Sequence, residues 1–147
     1  MVEAISHLFP QVLVARVDSD RSSQDLEADI AAFLDGEVSI LVGTQRLLSY
    51  HRHIRASLLG IIQADIGLKF PDFLAPERVF QTLMRLRRSV LANSLKSRTI
   101  VQTVMPDHYV FTAMQNRSYE HFFCSEMDNR RTEGLPPIRP MVKATFA

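Results

Sequence analysis

The chain has 147 residues, which suits one domain or one domain with a fragment of a second. Its apolar content of 46% excludes wholesale disorder, and its formal net charge of +1 excludes the global basic field of many nucleic-acid binders. The single cysteine, Cys124, excludes an internal disulfide and a cysteine zinc site, and no apolar run approaches the about 20 residues of a membrane span. We therefore expect a reduced, cytoplasmic protein, with Cys124 as a small apolar filler beside Phe122 and Phe123.

The first part of the sequence has the pattern of a βαβ unit. Apolar, β-branched runs predict strands over 12–17 and 38–42, and residues 24–34 carry the apolar stripe of a helix. Ser22-Ser23 offers an amino-terminal cap for this helix, and Gly36 ends it. A unit of this kind is almost always right-handed with parallel strands.

The rest of the sequence adds further strands and helices to this pattern. We predict strands at 57–63 and 99–104, helices at 75–95 and 119–131, and a last strand at 141–146. Between them, Met105-Pro106-Asp107 is predicted to cap a helix that runs to about Asn116. We expect the fold to be α/β, with the main strands side by side in one mainly parallel sheet flanked by helices. The best boundary lies near Met105-Pro106, so we predict one domain at 1–104 and a helical segment with the start of a second domain at 105–147.

Two of the predicted strands end in small or polar residues. Gly43-Thr44-Gln45 follows the strand at 38–42, and Asp65 follows the strand at 57–63. Because open α/β sheets place their sites at the carboxyl ends of strands, these residues are candidates for ligand contact. The alternative is structural: Thr44 then caps a strand-to-helix turn, and Asp65 orders a loop.

A longer ordered series accompanies these strand ends. A leucine-phenylalanine-proline turn precedes the first strand, which leads to an arginine and two spaced aspartates, Arg16, Asp18 and Asp20. Farther on, the series continues with Gly67-Leu68, Pro71-Asp72-Phe73, Glu77-Arg78, Phe80-Gln81, Gln102-Thr103, Pro106, His108-Tyr109, Tyr119-Glu120, Phe122, Arg130-Arg131 and Gly134-Leu135-Pro136-Pro137. Over about 130 residues, this series resembles the second helicase lobe and the following segment of PriA-type replication-restart helicases, truncated and diverged.

The resemblance implies a RecA-like lobe and assigns roles to individual residues. Gly43, Thr44 and Gln45 correspond to a motif that faces DNA or couples it to ATP, and His51 is the one histidine retained from the following motif. Asp65 would lie in the nucleotide cleft between two lobes. The nucleic-acid-binding candidates are therefore Gly43, Thr44, Gln45, His51, Arg85, Arg87 and Arg88.

The chain departs from the family in the motif that follows Gly-Thr-Gln and at the positions of the family's glutamine and two arginines. The family's lysine and glycine after the Gly-Thr-Gln motif are replaced, and in ungapped register its glutamine position is Arg85, while its two arginine positions are Ser89 and Ala92. Arginines that stabilise a transferred phosphoryl group contribute about 10³–10⁵ in rate. Arg87 and Arg88 are close in sequence, but a helix turns by about 100° per residue, so a shifted arginine points elsewhere. The structural alternative for these arginines is a solvated basic helix face.

The sequence also lacks the signatures of the first helicase lobe. No GxxxxGK[ST] nucleotide loop, acidic DEAH-like box or cysteine-rich zinc element is present. We therefore expect no catalytic residue, no metal site and no cofactor in this chain alone, although the intact family uses ATP and magnesium. Two histidines, His51 and His53, lack a third ligand in the nearby sequence and are weak evidence for a metal site, and the structural alternative for both is a solvated loop histidine.

The resemblance places the chain in DNA replication restart, where the intact family unwinds DNA in the 3'–5' direction at the expense of ATP. We predict a fragment of such a helicase without ATPase or unwinding activity alone. The alternatives are a non-catalytic module that binds DNA or a primosome protein, and a decayed gene product. Expected partners are DNA, bound weakly, and other primosome proteins or a chain that supplies the first lobe, with no membrane.

Overall fold

A computed structural model describes residues 2–18, 22–50, 54–90, 97–142 and 144. The chain divides into two compact units, which are considered separately below. The first unit comprises Met1–Leu59 and Arg85–Thr99, and the second comprises Gly60–Met84 and Ile100–Ala147. The predicted domain boundary between residues 104 and 105 stays a prediction.

The described part of the chain alternates helices with short strands. Its regular elements are α1 (Val2–Leu8), β1 (Val14–Val17), α2 (Ser23–Leu34), β2 (Ile40–Gly43), β3 (Leu58–Ile61), α3 (Ala75–Val90), β4 (Arg98–Val101), α4 (Tyr109–Asn116) and α5 (Tyr119–Glu133). Two 3-10 helices cover Gln45–Tyr50 and Ile66–Lys69. None of the helices in the described ranges combines the length and apolar character needed to cross a bilayer.

The predicted βαβ unit is confirmed in the first unit. Val14 pairs with Ile40 and Val17 with Gly43 in parallel register. The Ser22 hydroxyl accepts the Asp25 N–H at 3.2 Å and caps α2, while Gly36 adopts a φ of 83° after the helix ends. Since that left-handed conformation favours glycine, the helix stops where the sequence predicts.

The first unit has a small apolar core beneath this βαβ unit. Ile30 of α2 and Ile54 are buried at its centre. The half-buried residues that pack against them are Phe33, Leu41, Leu47, Ala56, Leu59 and Leu86. Side chains from β2 and β3 therefore share one core.

The prediction of one sheet is wrong for the described strands, which form two separate two-stranded sheets, β1–β2 and β3–β4. The Arg98 N–H donates to the Ser57 carbonyl at 2.9 Å, and the Gln102 N–H donates to the Ile61 carbonyl at 2.8 Å. The two bonds join residues with the same separation in the sequence, so residue numbers rise in the same direction along both strands. Strands β3 and β4 are therefore parallel. An apolar run predicts burial, but it does not specify which backbone completes its hydrogen bonds, and Leu41 and Leu59 share a core through side chains alone.

The second unit is built on the first half of α3 and on the pair α4 and α5. Its core is a cluster of seven buried residues: Phe80, Leu83, Val110, Phe111, Ala113, Met114 and Phe122. The rings of Phe80 and Phe122 are stacked, with their centroids 4.2 Å apart. Burying such large aromatic surfaces supplies much of the stability of a small unit.

Several predicted boundaries need correction. His108, rather than Met105-Pro106-Asp107, caps α4, because its ring nitrogen accepts the Val110 N–H. Helix α3 is described only to Val90, and residues 91–96 lie outside the described ranges. Met141 and Val142 are not in a strand, and most of the remaining predicted strand lies outside the described residues. Cys124 is exposed on α5 and is not a core filler, because the buried stripe of that helix runs through Phe122, Glu126 and Arg130.

Candidate nucleic-acid interface

The carboxyl ends of β1 and β2 form one edge of the first unit. Because Val17 pairs with Gly43, the residues that follow the two strands are neighbours at about the 4.8 Å spacing of strands in a sheet. The Thr44 N–H donates to the Val17 carbonyl at 3.3 Å, and the Thr44 carbonyl accepts the Leu47 N–H at 3.1 Å. This backbone amide is therefore already used within the fold, and Thr44 and Gln45 are both exposed at this edge.

Gly43 has a structural reason to be glycine. A Cβ atom at this position would lie 2.6 Å from the Val17 carbonyl oxygen and 2.8 Å from Leu47 Cδ1. Contacts this short would force the strand end to move. Glycine at position 43 is thus already required by packing between β1, β2 and the following turn.

The three predicted arginines of α3 do not share one environment. Arg85 and Arg88 are exposed, and residues three apart on a helix lie on the same face. Arg87 is half-buried and has an interaction partner of its own. The structure therefore brings Arg85 and Arg88 together and separates Arg87 from them, while the role of all three in binding stays a prediction.

The remaining predicted site residues lie elsewhere. His51 lies outside the described residues, as does His53. Asp65 belongs to the second unit, whereas the strand-end edge and the α3 arginines belong to the first. Among the described residues, no group of three or more metal-ligating side chains is assembled.

Asp65 is a buried local anchor in the second unit. Its carboxylate accepts the Val104 N–H at 3.3 Å and binds the Lys69 ammonium at 3.1 Å. The hydrogen bond from Lys69 lowers the pKa of Asp65 against the opposing effect of burial. These contacts order the turn after β4 and the nearby 3-10 helix, and a role in a nucleotide cleft stays a prediction.

A buried polar network in the second unit was not predicted from the sequence. The Arg130 Nε–H donates to Glu126 Oε1 at 2.6 Å, and Arg130 Nη2 donates to Glu77 Oε2 at 3.2 Å. The Tyr109 hydroxyl donates to Glu126 Oε2 at 2.6 Å, and Arg130 Nη1 donates to the Pro136 carbonyl at 3.1 Å. Burial and the hydrogen bond to Glu126 raise the pKa of Tyr109.

Glu77 and Arg78 are neighbours in the sequence, but each has a different partner. Glu77 binds Arg130, 53 positions away, whereas Arg78 binds Asp72 at 2.6 Å. The i, i+4 spacing of Glu126 and Arg130 on a helix is the one sequence signal for part of the network. Nothing in the sequence indicates that Glu77 is the third member, because that contact depends on the tertiary packing.

His108 provides a testable pH dependence. Its Nδ1 accepts the Val110 N–H at 3.3 Å, which requires that nitrogen to be unprotonated, and its ring stacks on Tyr109 with centroids 4.4 Å apart. Burial lowers the pKa of His108 below its ordinary value of 6.5, and the Glu126 carboxylate partly opposes this effect. The stabilising contribution is therefore present above about pH 6.5 and is lost as the pH falls toward the lower folded-state pKa.

We expect the variant His108→Asn not to lose this stabilising contribution as the pH falls. Asparagine is a good amino-terminal cap and does not titrate, so the variant keeps the cap acceptor at every pH. Thermal unfolding followed by circular dichroism at pH 8 and pH 5.5 measures the effect. The wild-type midpoint should fall more than the variant midpoint on acidification, and equal falls would contradict the assigned role of His108.

Comparison with known proteins gives a consistent set of relatives. The chain is 31% identical over 142 residues to "Replication restart protein PriA" of Borreliella burgdorferi, covering 97% of this chain and 22% of that protein. It is 31% identical over 147 residues to the protein of the same name from Bacillus subtilis, covering 99% of this chain and 18% of the relative. The corresponding protein of Treponema pallidum is 31% identical over 145 residues, or 98% of this chain and 22% of its own length.

These matches cover almost all of this chain but only a part of each relative. The chain spans about a fifth of the length of the curated relatives that it matches. No protein-family model matches the chain.

Proposed function

Because this chain is related to a segment of the replication restart protein PriA over nearly its whole length, we propose that it is a RecA-like helicase-lobe segment that binds DNA. On this proposal it neither hydrolyses ATP nor unwinds DNA by itself. The resemblance assigns ATP to a cleft between two lobes, and the nucleotide-loop signature of the first lobe is absent from the sequence. DNA-stimulated ATP turnover by the purified chain would contradict this part of the proposal.

The exposed arginine pair on α3 carries the proposal of DNA binding. Arg85 and Arg88 lie on one solvent-exposed helix face, about one turn apart. Guanidinium groups bind phosphate oxygens through planar, paired N–H donors. The overall charge of +1 supplies little long-range attraction, so binding would depend on local contacts of this kind and weaken steeply with salt.

The strand-end edge supports the same proposal through polar side chains. Thr44 and Gln45 are exposed at the carboxyl ends of a parallel strand pair, which is where α/β sheets place ligands. On this proposal they contact the nucleic-acid backbone, and Gly43 supports them by allowing the two strand ends to pack closely. His51, Arg87 and Asp65 keep the roles that the resemblance implies as part of the proposal.

The proposed partners follow from the relationship to PriA. They are DNA and, in the cell, primosome proteins or a chain that supplies the first helicase lobe. A cytoplasmic location belongs to the same proposal. The intact helicase would take ATP and magnesium only when both lobes are present.

Fluorescence anisotropy with a labelled forked DNA tests the proposal on the full chain. We expect binding at low salt, with a log–log salt slope of about −0.9 per duplex phosphate contacted and about −0.7 per single-strand contact. The double variant Arg85→Gln/Arg88→Gln should bind about a hundredfold more weakly or worse, because each of the two charge-assisted hydrogen bonds contributes about 1.5–3 kcal/mol. Its slope should be shallower by about 1.4 to 1.8.

A charge-matched control locates the effect. Arg131→Gln/Arg139→Gln removes two exposed arginines from the second unit and leaves α3 intact. This control should bind DNA nearly as well as the wild type. Equal losses in both double variants would place binding on no particular surface, and an absence of binding at low salt would overturn the proposal.

A further inference from the structure

The end of β1 carries an ion pair with an uneven exposure of its two members. Arg16 and Asp18 are two residues apart, and the Arg16 Nε–H binds Asp18 Oδ2. The Arg16 side chain is 57% exposed, whereas the Asp18 side chain is only 11% exposed. The acid is therefore turned into the protein, and the cation is turned toward solvent.

This asymmetry changes what the pair presents to a ligand. A pair with both charges exposed would be nearly neutral to an approaching anion, but here the shielded member is the carboxylate. A guanidinium has five N–H donors in a rigid planar fork, and the bond from Nε to Asp18 helps to fix the orientation of that fork. Such a preorganised, outward-facing guanidinium suits a phosphate oxygen.

The strand register places this guanidinium beside the candidate interface. The Arg16 side chain reaches past the last strand residue to Asp18, so it lies at the carboxyl end of β1. Val17 pairs with Gly43, and the Thr44 N–H donates to the Val17 carbonyl at 3.3 Å. Arg16 and Thr44-Gln45 thus belong to one edge of the first unit, on neighbouring strands about 4.8 Å apart.

We propose that Arg16 is a further phosphate-binding residue of this edge, and that Asp18 positions it. The ligand is a phosphodiester of the nucleic-acid backbone, so the inference rests on the proposed function. Arg16 would contribute the cation that Gly43-Thr44-Gln45 lacks, and phosphate would be held between the guanidinium and the polar side chains that follow β2. The contact would carry no base specificity, because it reads only the backbone.

The test uses the full chain and labelled forked DNA across a series of salt concentrations. Arg16→Gln should raise the dissociation constant about tenfold, as expected for the loss of one charge-assisted hydrogen bond. Its log–log salt slope should be shallower by about 0.7 to 0.9, the value for one phosphate contact. Arg55→Gln is the matched control, because Arg55 is an exposed arginine of the same unit that does not belong to β1, β2 or the residues that directly follow them.

Two further variants distinguish the orientation of the Arg16 guanidinium from the effect of its charge alone. Arg16→Lys keeps the charge but loses the planar fork, so it should restore the salt slope without restoring the full affinity. Asp18→Asn removes a negative charge, and electrostatics alone would tighten DNA binding. The positioning role predicts weaker binding instead, and tighter binding by Asp18→Asn would overturn that role.

The outcomes distinguish this inference from the proposed function. If the wild type binds DNA and Arg16→Gln behaves as Arg55→Gln does, the inference on Arg16 fails while the proposed function stands. If the wild type does not bind, both fail. Should Arg16→Gln unfold, the NMR signal of the Arg16 Nε–H in the wild type decides: it should shift on DNA addition, and an unmoved signal alongside shifted Gln45 would overturn the inference.

Discussion

Replacing Arg130 by alanine is expected to destabilise the protein by about 3–5 kcal/mol, the usual cost of removing one partner of a buried ion pair. Glu126 is only 4% exposed and Arg130 only 8% exposed. Without Arg130, the Glu126 carboxylate would stay buried with the Tyr109 hydroxyl as its remaining donor in this network, and Glu77 and the Pro136 carbonyl would each lose a hydrogen bond. Urea unfolding followed by circular dichroism measures the loss.

The neighbouring residue provides the control for this prediction. Arg131 also pairs with an acid, Asp128, at 2.7 Å, but both side chains are more than 60% exposed. Arg131→Ala should therefore cost less than about 1 kcal/mol. In addition, Glu126→Leu/Arg130→Met should recover most of the loss, because replacing both buried charges by apolar groups removes the uncompensated carboxylate. Equal effects of Arg130→Ala and Arg131→Ala would contradict the assigned network.

Phe80→Ala is expected to have a comparable effect, about 3–5 kcal/mol, through loss of core packing. Phe80 is 3% exposed in the core of the second unit, and its ring lies almost parallel to that of Phe122 at 4.2 Å. Truncation would remove the stacked partner and leave a cavity between α3 and α5. The same urea unfolding experiment measures the change in the free energy of unfolding.

Phe123→Ala is the matched control for the core variant. Phe123 is 50% exposed on α5, next in sequence to Phe122. Its truncation should cost well under half as much as that of Phe80, because exposed side chains lose little buried area. A variant Phe80→Ala that unfolds at the same urea concentration as Phe123→Ala would show that the Phe80–Phe122 stack does not stabilise the unit.

The sequence predicts local structure well where capping and helix-ending residues coincide with a periodic apolar pattern. Ser22 caps α2, Gly36 ends it, and the apolar runs on either side become β1 and β2 in parallel register. The cap and the helix end depend on neighbours within a few positions, and the parallel pairing follows from the general rule for two strands joined by a helix. They are therefore visible in composition and spacing before any tertiary contact is known.

Features that depend on distant partners escaped prediction. The contact between Glu77 and Arg130 joins residues 53 positions apart, and neither residue type indicates the other. Similarly, apolar runs predicted buried strands but not their division into two sheets, because a strand's hydrogen-bonding neighbour is set by the tertiary fold. The reason for glycine at position 43 is also tertiary, since it depends on the Val17 carbonyl and the Leu47 side chain.

The candidate interface was predictable in part. The position at the end of a strand singles out Gly43-Thr44-Gln45, and the resemblance adds the arginines of α3. Only the structure distinguishes exposed Arg85 and Arg88 from half-buried Arg87. The orientation of Arg16 toward solvent likewise depends on the burial of Asp18. The sequence of an Arg-x-Asp pair does not indicate whether the arginine is exposed and the aspartate is shielded.

NMR mapping of the DNA footprint on the isotope-labelled full chain tests the central claim most directly. Titration with a short forked DNA should shift amide signals of Thr44, Gln45, Arg85 and Arg88, with smaller shifts along α5. Amide shifts confined to α5, or no shifts at low salt, would contradict a nucleic-acid interface in the first unit.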